Sequence, residues 1–298
     1  MLIDRFGRII TNLRIAITMK CNLNCIYCHR EGQKESKKEN KTEMSVEEIS
    51  KIAKAFKELG IKKVKITGGE PLLRRDVCDI ISSMPDFKEI SMTTNGIYLS
   101  KLAWDLKDSG LDRVNVSLDS LRRDVYKYIT RGGDVNKVID GIATACDAKL
   151  TPIKVNMVIL KGLNDDQVSE MMEFISNMNS ESIKTILQVI EILKLPGLEK
   201  YYKDITNLEK EIASKAEAVI LRGMHFRRQY KIGNVVVEFI KPVNNREFCM
   251  HCNRIRVTSD GKVKPCLMRD EGIKVVGLEG KELINAIKKA VNLREPYY

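Results

Sequence analysis

Three cysteines near the amino end of the chain have a spacing that suits an iron–sulfur cluster. Cys21, Cys25 and Cys28 form the pattern C-x3-C-x2-C within the stretch CNLNCIYC. A cubane cluster has four irons, and a site that only carries electrons normally ligates all of them with thiolates. Three ligands would leave one iron open to a small molecule, as a reactive centre requires. Zinc is the alternative, but structural zinc takes four ligands, and His29 is awkwardly placed for that role because it directly follows Cys28.

A second group of three cysteines stands near the carboxyl end of the chain. Cys249, Cys252 and Cys266 are spaced C-x2-C-x13-C, again without a fourth cysteine in the group. This spacing leaves two interpretations open. One is a second cluster with an open iron, and the other is a zinc site completed by His251, which lies between the paired cysteines.

Two arginines lie inside the second group, and their spacing favours a phosphate ligand. Arg254 and Arg256 are two residues apart, so on a strand they would point to the same face. Two guanidinium groups on one face suit a phosphate better than a protein core. Arg14, Lys65 and Lys154 are further cations within predicted strands. Since burying an unpaired charge is costly, they either face outward, form salt bridges, or make a cationic floor for a polyanion.

Short β-rich runs alternate with helical patterns over much of the chain. Six strands are predicted, at residues 13–18, 62–67, 89–94, 113–118, 153–159 and 185–192. The clearest helix begins at Ser45, where Glu48 completes a capping box, and it ends at Gly60. This alternation predicts an α/β fold with parallel strands, in the form of a partial (β/α)6 TIM-like barrel. Ligands gather at the carboxyl ends of such strands.

The sequence GGEP (residues 68–71) stands directly after one of these strands, as Cys21 does after another. Two residues without side chains would let a ligand approach the main chain closely. A Gly-Gly pair at a strand–helix turn is also a common structural device. The sequence therefore predicts that this turn and the first cysteine group meet at one rim of the barrel.

The pattern of elements changes after about residue 197. A helix is predicted at about residues 206–221, followed by a hairpin through Gly233-Asn234 and a tight turn at Asp260-Gly261. We therefore predict two domains. The first is the partial barrel at residues 1–197, and the second is a smaller α+β domain at residues 198–298 that carries the second cysteine group.

The composition favours a soluble, cytoplasmic protein with an anionic partner. No apolar run approaches the roughly 18 residues of a membrane span, and charges interrupt the amino-terminal residues too often for a signal peptide. In a reducing compartment, grouped cysteines bind metal more often than they form disulfides. The formal net charge is +11, which suits nucleotides, nucleic acid or an acidic protein. Much of this charge lies in mixed segments such as KESKKENKTE (residues 34–43), which are typical of a solvated surface.

These motifs resemble those of the radical S-adenosylmethionine (SAM) enzymes. CNLNCIYC matches the cysteine signature of that superfamily, and GGEP matches its site for the amino group of SAM. More specifically, the chain resembles the GTP 3′,8-cyclase family, also called molybdenum cofactor biosynthesis protein A. The matching stretches run from residue 13 to residue 267, and FCMHCNRIRVTSDGKVKPCL (residues 248–267) is the most discriminating of them.

The resemblance implies a lyase that uses two [4Fe-4S] clusters and SAM, with a partial barrel of the radical SAM type. In the family, the open iron of the first cluster binds SAM, and one electron cleaves SAM to methionine and a 5′-deoxyadenosyl radical. The radical removes the 3′ hydrogen of GTP, and the sugar carbon then attacks C8 of guanine. The product, 3′,8-cyclo-7,8-dihydro-GTP, begins molybdenum cofactor biosynthesis. The open iron of the second cluster contacts the guanine.

The resemblance also implies roles for individual residues of this chain. The first cluster would be held by Cys21, Cys25 and Cys28, and the second by Cys249, Cys252 and Cys266. The SAM site would be lined by Tyr27, Gly69, Ser117 and Leu193. GTP would be contacted by Arg14, Lys65, Thr93, Lys154, Arg254, Ile255 and Arg256, and catalysis would involve Arg14, Arg254 and Arg256. The family pattern has Met at the position of Leu193, so only a main-chain contact with SAM would be kept there.

Further implications concern partners. The resemblance implies a downstream cyclic pyranopterin monophosphate synthase, an electron donor and a homodimer, with no membrane association and no nucleic acid. Many family members end in a Gly-Gly tail that reaches the active site, whereas this chain ends REPYY. Three alternatives remain: a radical SAM enzyme with an auxiliary cluster that modifies a peptide, one that modifies tRNA, and a protein without catalysis, either a two-cluster electron carrier or a zinc-stabilised binding module.

Overall fold

The computed structural model describes residues 1–33, 43–179, 184–243 and 245–297, which form a two-stranded sheet, a twelve-stranded sheet and the helices around them. The strands are β1 (Leu2–Ile3), β2 (Ile9–Ile10), β3 (Asn12–Ala16), β4 (Lys63–Thr67), β5 (Glu89–Thr94), β6 (Arg113–Ser117), β7 (Ile153–Ile159), β8 (Thr185–Glu191), β9 (Ala218–Leu221), β10 (Arg228–Ile232), β11 (Val235–Ile240), β12 (Arg254–Val257), β13 (Lys262–Lys264) and β14 (Ile273–Lys274). The helices are α1 (Val46–Glu58), α2 (Val77–Ser82), α3 (Leu99–Asp108), α4 (Arg123–Thr130), α5 (Val135–Asp147), α6 (Val168–Met178), α7 (Thr206–Ser214), α8 (Arg246–Met250) and α9 (Gly280–Asn292). The predicted solvated segment at residues 34–43 lies outside the described residues except for Glu43.

The six predicted strands form the centre of the large sheet. They are β3 to β8, and each pairs in parallel with the next. Helices lie between consecutive strands in the sequence, as a parallel sheet requires. Within the described residues, the outermost strands of the sheet, β14 and β9, do not pair with each other. The barrel is therefore partial, as the sequence predicted.

The carboxyl-terminal part of the chain extends this sheet at both edges. Strand β12 pairs in parallel with β3, and β11 pairs in parallel with β8. The predicted hairpin is present as β10 and β11, and the predicted tight turn joins β12 to β13. The boundary after residue 197 stays a prediction, and main-chain pairing continues across it.

Alternation within the strands decides which side chains reach the interior. In β4, Val64 and Ile66 are buried in the apolar core, whereas Lys63 and Lys65 line a central cavity. Successive side chains of a strand point to opposite faces. The apolar face of each strand therefore packs against the helices, and the polar face is left for the inside of the barrel.

Helix α1 begins where the sequence predicted. The side chain of Ser45 accepts a hydrogen bond from the main-chain N–H of Glu48, whose carboxylate accepts one in return from Ser45. Ile49 and Phe56 are fully buried on the inner side of the helix. Gly60 follows with a φ of 94°, a left-handed conformation that glycine adopts without strain.

The helix predicted at residues 206–221 is wrong in its second half. Helix α7 ends at Ser214, and residues 218–221 form β9 at the edge of the sheet. Val219 and Ile220 are β-branched and favour a strand, and β10 offers main-chain partners to all four residues of β9. Nowhere in the described part of the chain is there a helix with the length and apolar character needed to cross a bilayer.

Candidate active site

A cavity of about 650 Å³ lies on the inner side of the barrel strands. The predicted site residues that line it are Arg14, Tyr27, Lys65, Thr93, Ser117, Lys154, Leu193, Cys249, Cys252, Arg254, Arg256 and Cys266. Gly69, Ile255 and the first three cysteines are not part of its wall, although Tyr27 and His29, on either side of Cys28, are. The side chain of Ile255 is fully buried in the core, so any ligand contact at this position would involve the main chain.

Strand register brings three of the predicted cations into one row. Arg256 on β12 is the register partner of Arg14 on β3, which is in turn the partner of Lys65 on β4. Register partners on adjacent strands share a face of the sheet. Arg254, two residues before Arg256, lines the same cavity. The outward-facing alternative therefore does not hold for these residues.

The carboxylate of Glu31 joins two arginines of this row. Its Oε1 lies 3.1 Å from Arg14 Nη1, and its Oε2 lies 2.5 Å from Arg256 Nη1. Thr67 Oγ1 donates a further hydrogen bond to Oε1 at 3.0 Å. Burial by itself raises the pKa of Glu31, but Arg14 and Arg256 outweigh it and hold this pKa far below its ordinary value. Glu31 is therefore an anion that links the loop after Cys28 to strand β12.

A second carboxylate, that of the buried Glu238 on β11, forms ion pairs with three other cations. Lys154 Nζ lies 2.7 Å from Oε2, and Arg227 Nη1 and Arg222 Nη1 lie 3.2 and 3.6 Å from Oε1. Burial acts to raise the pKa of Glu238, but the three cations lower it to about 2. Lys154 thus faces the cavity and is salt-bridged at the same time.

Two partly buried cations of the cavity have no carboxylate within ion-pair distance among the described residues. Lys65 Nζ donates to Asn115 Oδ1 at 2.7 Å, and Arg254 Nη2 lies 3.7 Å from the sulfur of Met224. Burial and the neighbouring cations lower the pKa of Lys65 and of Arg254. A negatively charged ligand would relieve this repulsion, so the cavity suits a polyanion.

Sequence reasoning missed four charged residues of this cavity, Glu31, Arg113, Arg222 and Arg227, and also Glu238, which pairs with cations of its wall. Arg113 could have been found, because it alternates with Asn115 and Ser117 on a predicted strand whose other residues are apolar. Arg222 and Arg227 belong to no recognisable motif. They lie at the ends of β9 and β10, and the pairing of these strands with β11 brings them to Glu238.

The first cysteine group forms a loop that fits an iron–sulfur cluster. The sulfur of Cys21 accepts a hydrogen bond from Leu23 N, and that of Cys28 accepts one from Arg30 N, both at 3.4 Å. Burial raises the pKa of the Cys25 thiol, and so do Asp119 and the neighbouring Cys28 and Cys21. Hydrogen bonds to cysteine sulfurs are among the features that tune bound clusters.

The second cysteine group is surrounded by positive charge. Burial by itself raises the pKa of the Cys252 thiol, but Arg294 and Arg254 outweigh it and lower this pKa. A thiol that ionises readily is a good metal ligand. Among the described residues, no three His, Cys, Asp or Glu side chains are close enough to hold a single metal ion. A cubane attaches each thiolate to a different iron, so its ligands stand further apart.

The GGEP turn is bonded to the main chain just before Cys21. Gly69 N donates to Thr18 O at 2.8 Å, and Glu70 N donates to Lys20 O at 2.7 Å. A Cβ at position 69 would lie 2.2 Å from Lys20 O, so glycine is required here for steric reasons alone. A contact between Gly69 and SAM remains a prediction.

Two predicted SAM residues are held in place by barrel residues. The hydroxyl of Tyr27 donates to Asp119 Oδ2 at 2.7 Å. Burial raises the pKa of Asp119 to about 6, although Tyr27 acts in the opposite direction. Ser117 is the register partner of Asn156, another cavity residue.

Two family models together match residues 15–298 of the chain. Residues 15–175 match the Radical SAM superfamily, and residues 171–298 match Molybdenum Cofactor Synthesis C. The chain is 54% identical to a protein of Archaeoglobus fulgidus named probable GTP 3′,8-cyclase, over 100% of this chain and 99% of that protein. It is 48% identical to a protein of the same name from Methanocaldococcus jannaschii, over 99% and 98% of the two chains.

Solved structures share the fold at low sequence identity. Streptococcus suis SuiB bound to S-adenosylmethionine has a TM-score of 0.69 at 16% identity, over 96% of this chain and 66% of that chain. Native anSMEcpe with bound AdoMet has a TM-score of 0.63 at 17% identity, over 93% of this chain and 81% of that chain. At these identities the likeness establishes the fold alone, an α/β partial barrel.

The contact between Gly69 and Lys20 predicts a stability effect. We expect Gly69→Ala to lower the free energy of unfolding by about 1–3 kcal/mol, because the added Cβ must displace main-chain oxygens. The same variant should hold less iron at the first cluster. Gly223→Ala is the matched control, since Gly223 has nothing within 4 Å of an added Cβ and a φ of −61°. Anaerobic denaturant unfolding and iron analysis compare the two, and equal values for both variants would contradict the prediction.

Proposed function

Because this chain belongs to the GTP 3′,8-cyclase family of radical SAM enzymes, we propose that its central cavity binds GTP between two [4Fe-4S] clusters. The chain is a lyase that converts GTP into 3′,8-cyclo-7,8-dihydro-GTP, with formation of methionine and 5′-deoxyadenosine. This is the first step of molybdenum cofactor biosynthesis. The observation that supports the position of GTP is the pair of partly buried cations, Lys65 and Arg254, for which the described residues supply no carboxylate.

The triphosphate of GTP lies along the row formed by Arg256, Arg14 and Lys65 in this proposal. Guanidinium groups bind phosphate oxygens in a fixed fork, and Lys adds a compact point charge. Arg254 sits beside Cys252 and is placed for the end of GTP that reaches the second cluster. Thr93, Lys154 and the main chain of Ile255 complete the contacts. Arg14, Arg254 and Arg256 also stabilise negative charge during the reaction.

The first cysteine group and its neighbours serve SAM in this proposal. Cys21, Cys25 and Cys28 hold the first cluster, and Tyr27, Gly69, Ser117 and Leu193 line the SAM site. When bound, the cluster and SAM supply the radical that removes the 3′ hydrogen of GTP. The part played by this chain is to hold both molecules in one cavity and to position the sugar of GTP.

The proposal extends to partners that the family resemblance supports. The product passes to a cyclic pyranopterin monophosphate synthase, a one-electron donor reduces the first cluster, and two copies of the chain form a homodimer in the cytoplasm. The basic cavity supports a nucleotide substrate rather than a nucleic acid. The chain acts without a membrane.

One anaerobic assay tests the function. Reconstituted protein is incubated with a strong reductant, SAM and GTP, and the products are identified by mass spectrometry. We expect 5′-deoxyadenosine together with an isomer of GTP that releases a pterin on acid treatment, and neither product from the Cys21→Ala variant. Formation of 5′-deoxyadenosine with GTP left intact would contradict GTP as the substrate.

Arg256 offers a test of the triphosphate position. We expect Arg256→Ala to raise the Kd for GTP roughly 10-fold to 100-fold, since a hydrogen bond to a charged group contributes about 1.5–3 kcal/mol. SAM cleavage without GTP should persist, because the first cluster is untouched. Arg269→Ala is the control, as Arg269 lines the same cavity but is 37% exposed and pairs with Glu271. Anaerobic calorimetry measures both variants, and an unchanged affinity of Arg256→Ala would contradict its role.

Substitution of Glu31 should change the affinity for GTP in the opposite direction. Its carboxylate occupies the guanidinium groups of Arg14 and Arg256, so it competes with a triphosphate for the same donors. We expect Glu31→Gln to bind GTP about 10-fold more tightly, a gain of about 1.4 kcal/mol. Glu89→Gln removes the same charge from another cavity residue, one that pairs with Lys63 and Arg113 instead. The prediction is wrong if the Glu31 variant binds GTP no better than the Glu89 variant.

A further inference from the structure

A buried network of charges connects the two ends of the chain. Asp4 Oδ2 accepts hydrogen bonds from Arg8 Nε at 2.6 Å and from Arg294 Nε at 2.8 Å. The side chain of Asp4 is completely buried, and those of Arg8 and Arg294 are 8% and 4% exposed. One carboxylate thus holds two guanidinium groups whose Nη atoms remain free to bond elsewhere. Charges buried to this extent are costly unless every donor has a partner.

The Nη atoms of both arginines reach main-chain oxygens of the second cysteine group. Arg8 Nη1 donates to Cys249 O at 2.9 Å. Arg294 Nη2 donates to Cys252 O at 2.7 Å, and its Nη1 donates to Pro265 O at 3.1 Å. Pro265 directly precedes Cys266. All three cysteine positions are therefore held through carbonyl oxygens at the cysteine or at its neighbour.

The same network also reaches Arg254, which is a proposed contact of GTP. Arg294 Nη1 also donates to the carbonyl oxygen of Arg254. Arg294 and Cys249 both line the cavity itself. A shift of the Arg294 fork would thus move Cys252, the segment before Cys266 and a proposed GTP contact together.

We propose that Arg8 and Arg294, held by Asp4, are positioning residues for the second iron–sulfur cluster. The two guanidinium groups fix the spacing of three cysteines that the chain brings from two segments, and so would set the position of the cluster relative to the GTP site. They also place net positive charge beside an anionic centre, which stabilises the cluster and raises its reduction potential. This inference rests on the proposed role of the second cysteine group as cluster ligands.

The test follows the second cluster on its own. The parent is the full-length chain with Cys21→Ser, Cys25→Ser and Cys28→Ser, which can build only the second cluster after anaerobic reconstitution. Arg294→Lys in this parent keeps the charge but replaces a fork that bonds three carbonyl oxygens with a single ammonium group. We expect an iron chelator to remove the cluster about 10-fold faster or more. The electron paramagnetic resonance signal of the reduced cluster should shift, and its response to added GTP should weaken.

Arg5→Lys is the matched control. Arg5 holds the same carboxyl-terminal segment, since its Nε donates to Arg294 O at 3.2 Å and its Nη2 lies 2.6 Å from Glu295. Its side chain is 51% exposed, and neither of these contacts involves a cysteine. We expect the control to release iron at the rate of the parent. Arg8→Lys, which disturbs only the Cys249 carbonyl among the three, should fall between the two.

A third measurement separates positioning from a general loss of folding. In the chain with all its cysteines, Arg294→Lys should still show the first cluster, with the spectral change that SAM produces there. Loss of both clusters to the same extent would overturn the inference, and so would a release rate equal to that of Arg5→Lys. Failure of the parent to build a second cluster at all would instead contradict the proposed function, on which the inference depends.

Discussion

The parallel pairing of β12 with β3 is the constraint on which the site depends. Arg256 and Arg14 are register partners across this pair, so a shift by one residue would turn Arg256 away from the cavity. The same pairing brings the segment between Cys252 and Cys266 against the first barrel strand. The second cysteine group therefore lines the same cavity as Tyr27 and His29, which flank Cys28 more than 200 residues earlier in the sequence. No contact within either group could achieve this.

Charge balance explains why this cavity is polar yet stable. Seven cations of its wall are arranged around three carboxylates, those of Glu31, Glu89 and Glu238, each of which pairs with at least two of them. Most of the cost of burying the cations is offset in this way without a ligand. Lys65 and Arg254 have no carboxylate partner among the described residues. Their positive charge is therefore available to a negatively charged substrate. The cavity thus favours a polyanion because its cations are only partly neutralised by carboxylates of the protein.

The sequence predicted the barrel well because its signals are local. Apolar alternation marks the six central strands, and the spacing of cysteines and arginines marks the two ends of the site. What it could not predict depends on contacts between distant segments. Glu31 reaches Arg256 only because the loop after Cys28 takes positive φ angles at Arg30 and Glu31. The hydrogen bond between Asp4 and Arg294 joins residues 290 positions apart. The periodicity of apolar residues along the sequence cannot predict such a pair.

The extension of the sheet at both edges has a consequence for any attempt to divide the chain. Strands β3 and β8 are interior strands only because β12 and β11 cover them. A fragment ending at residue 197 would expose the unpaired N–H and C=O groups along one edge of β3 and one edge of β8, which is the template for edge-to-edge aggregation. The carboxyl-terminal segment is therefore a steric shield for the barrel as well as a carrier of cysteines. Any unrelated module put in its place would have to supply two strands that pair in register with β3 and β8.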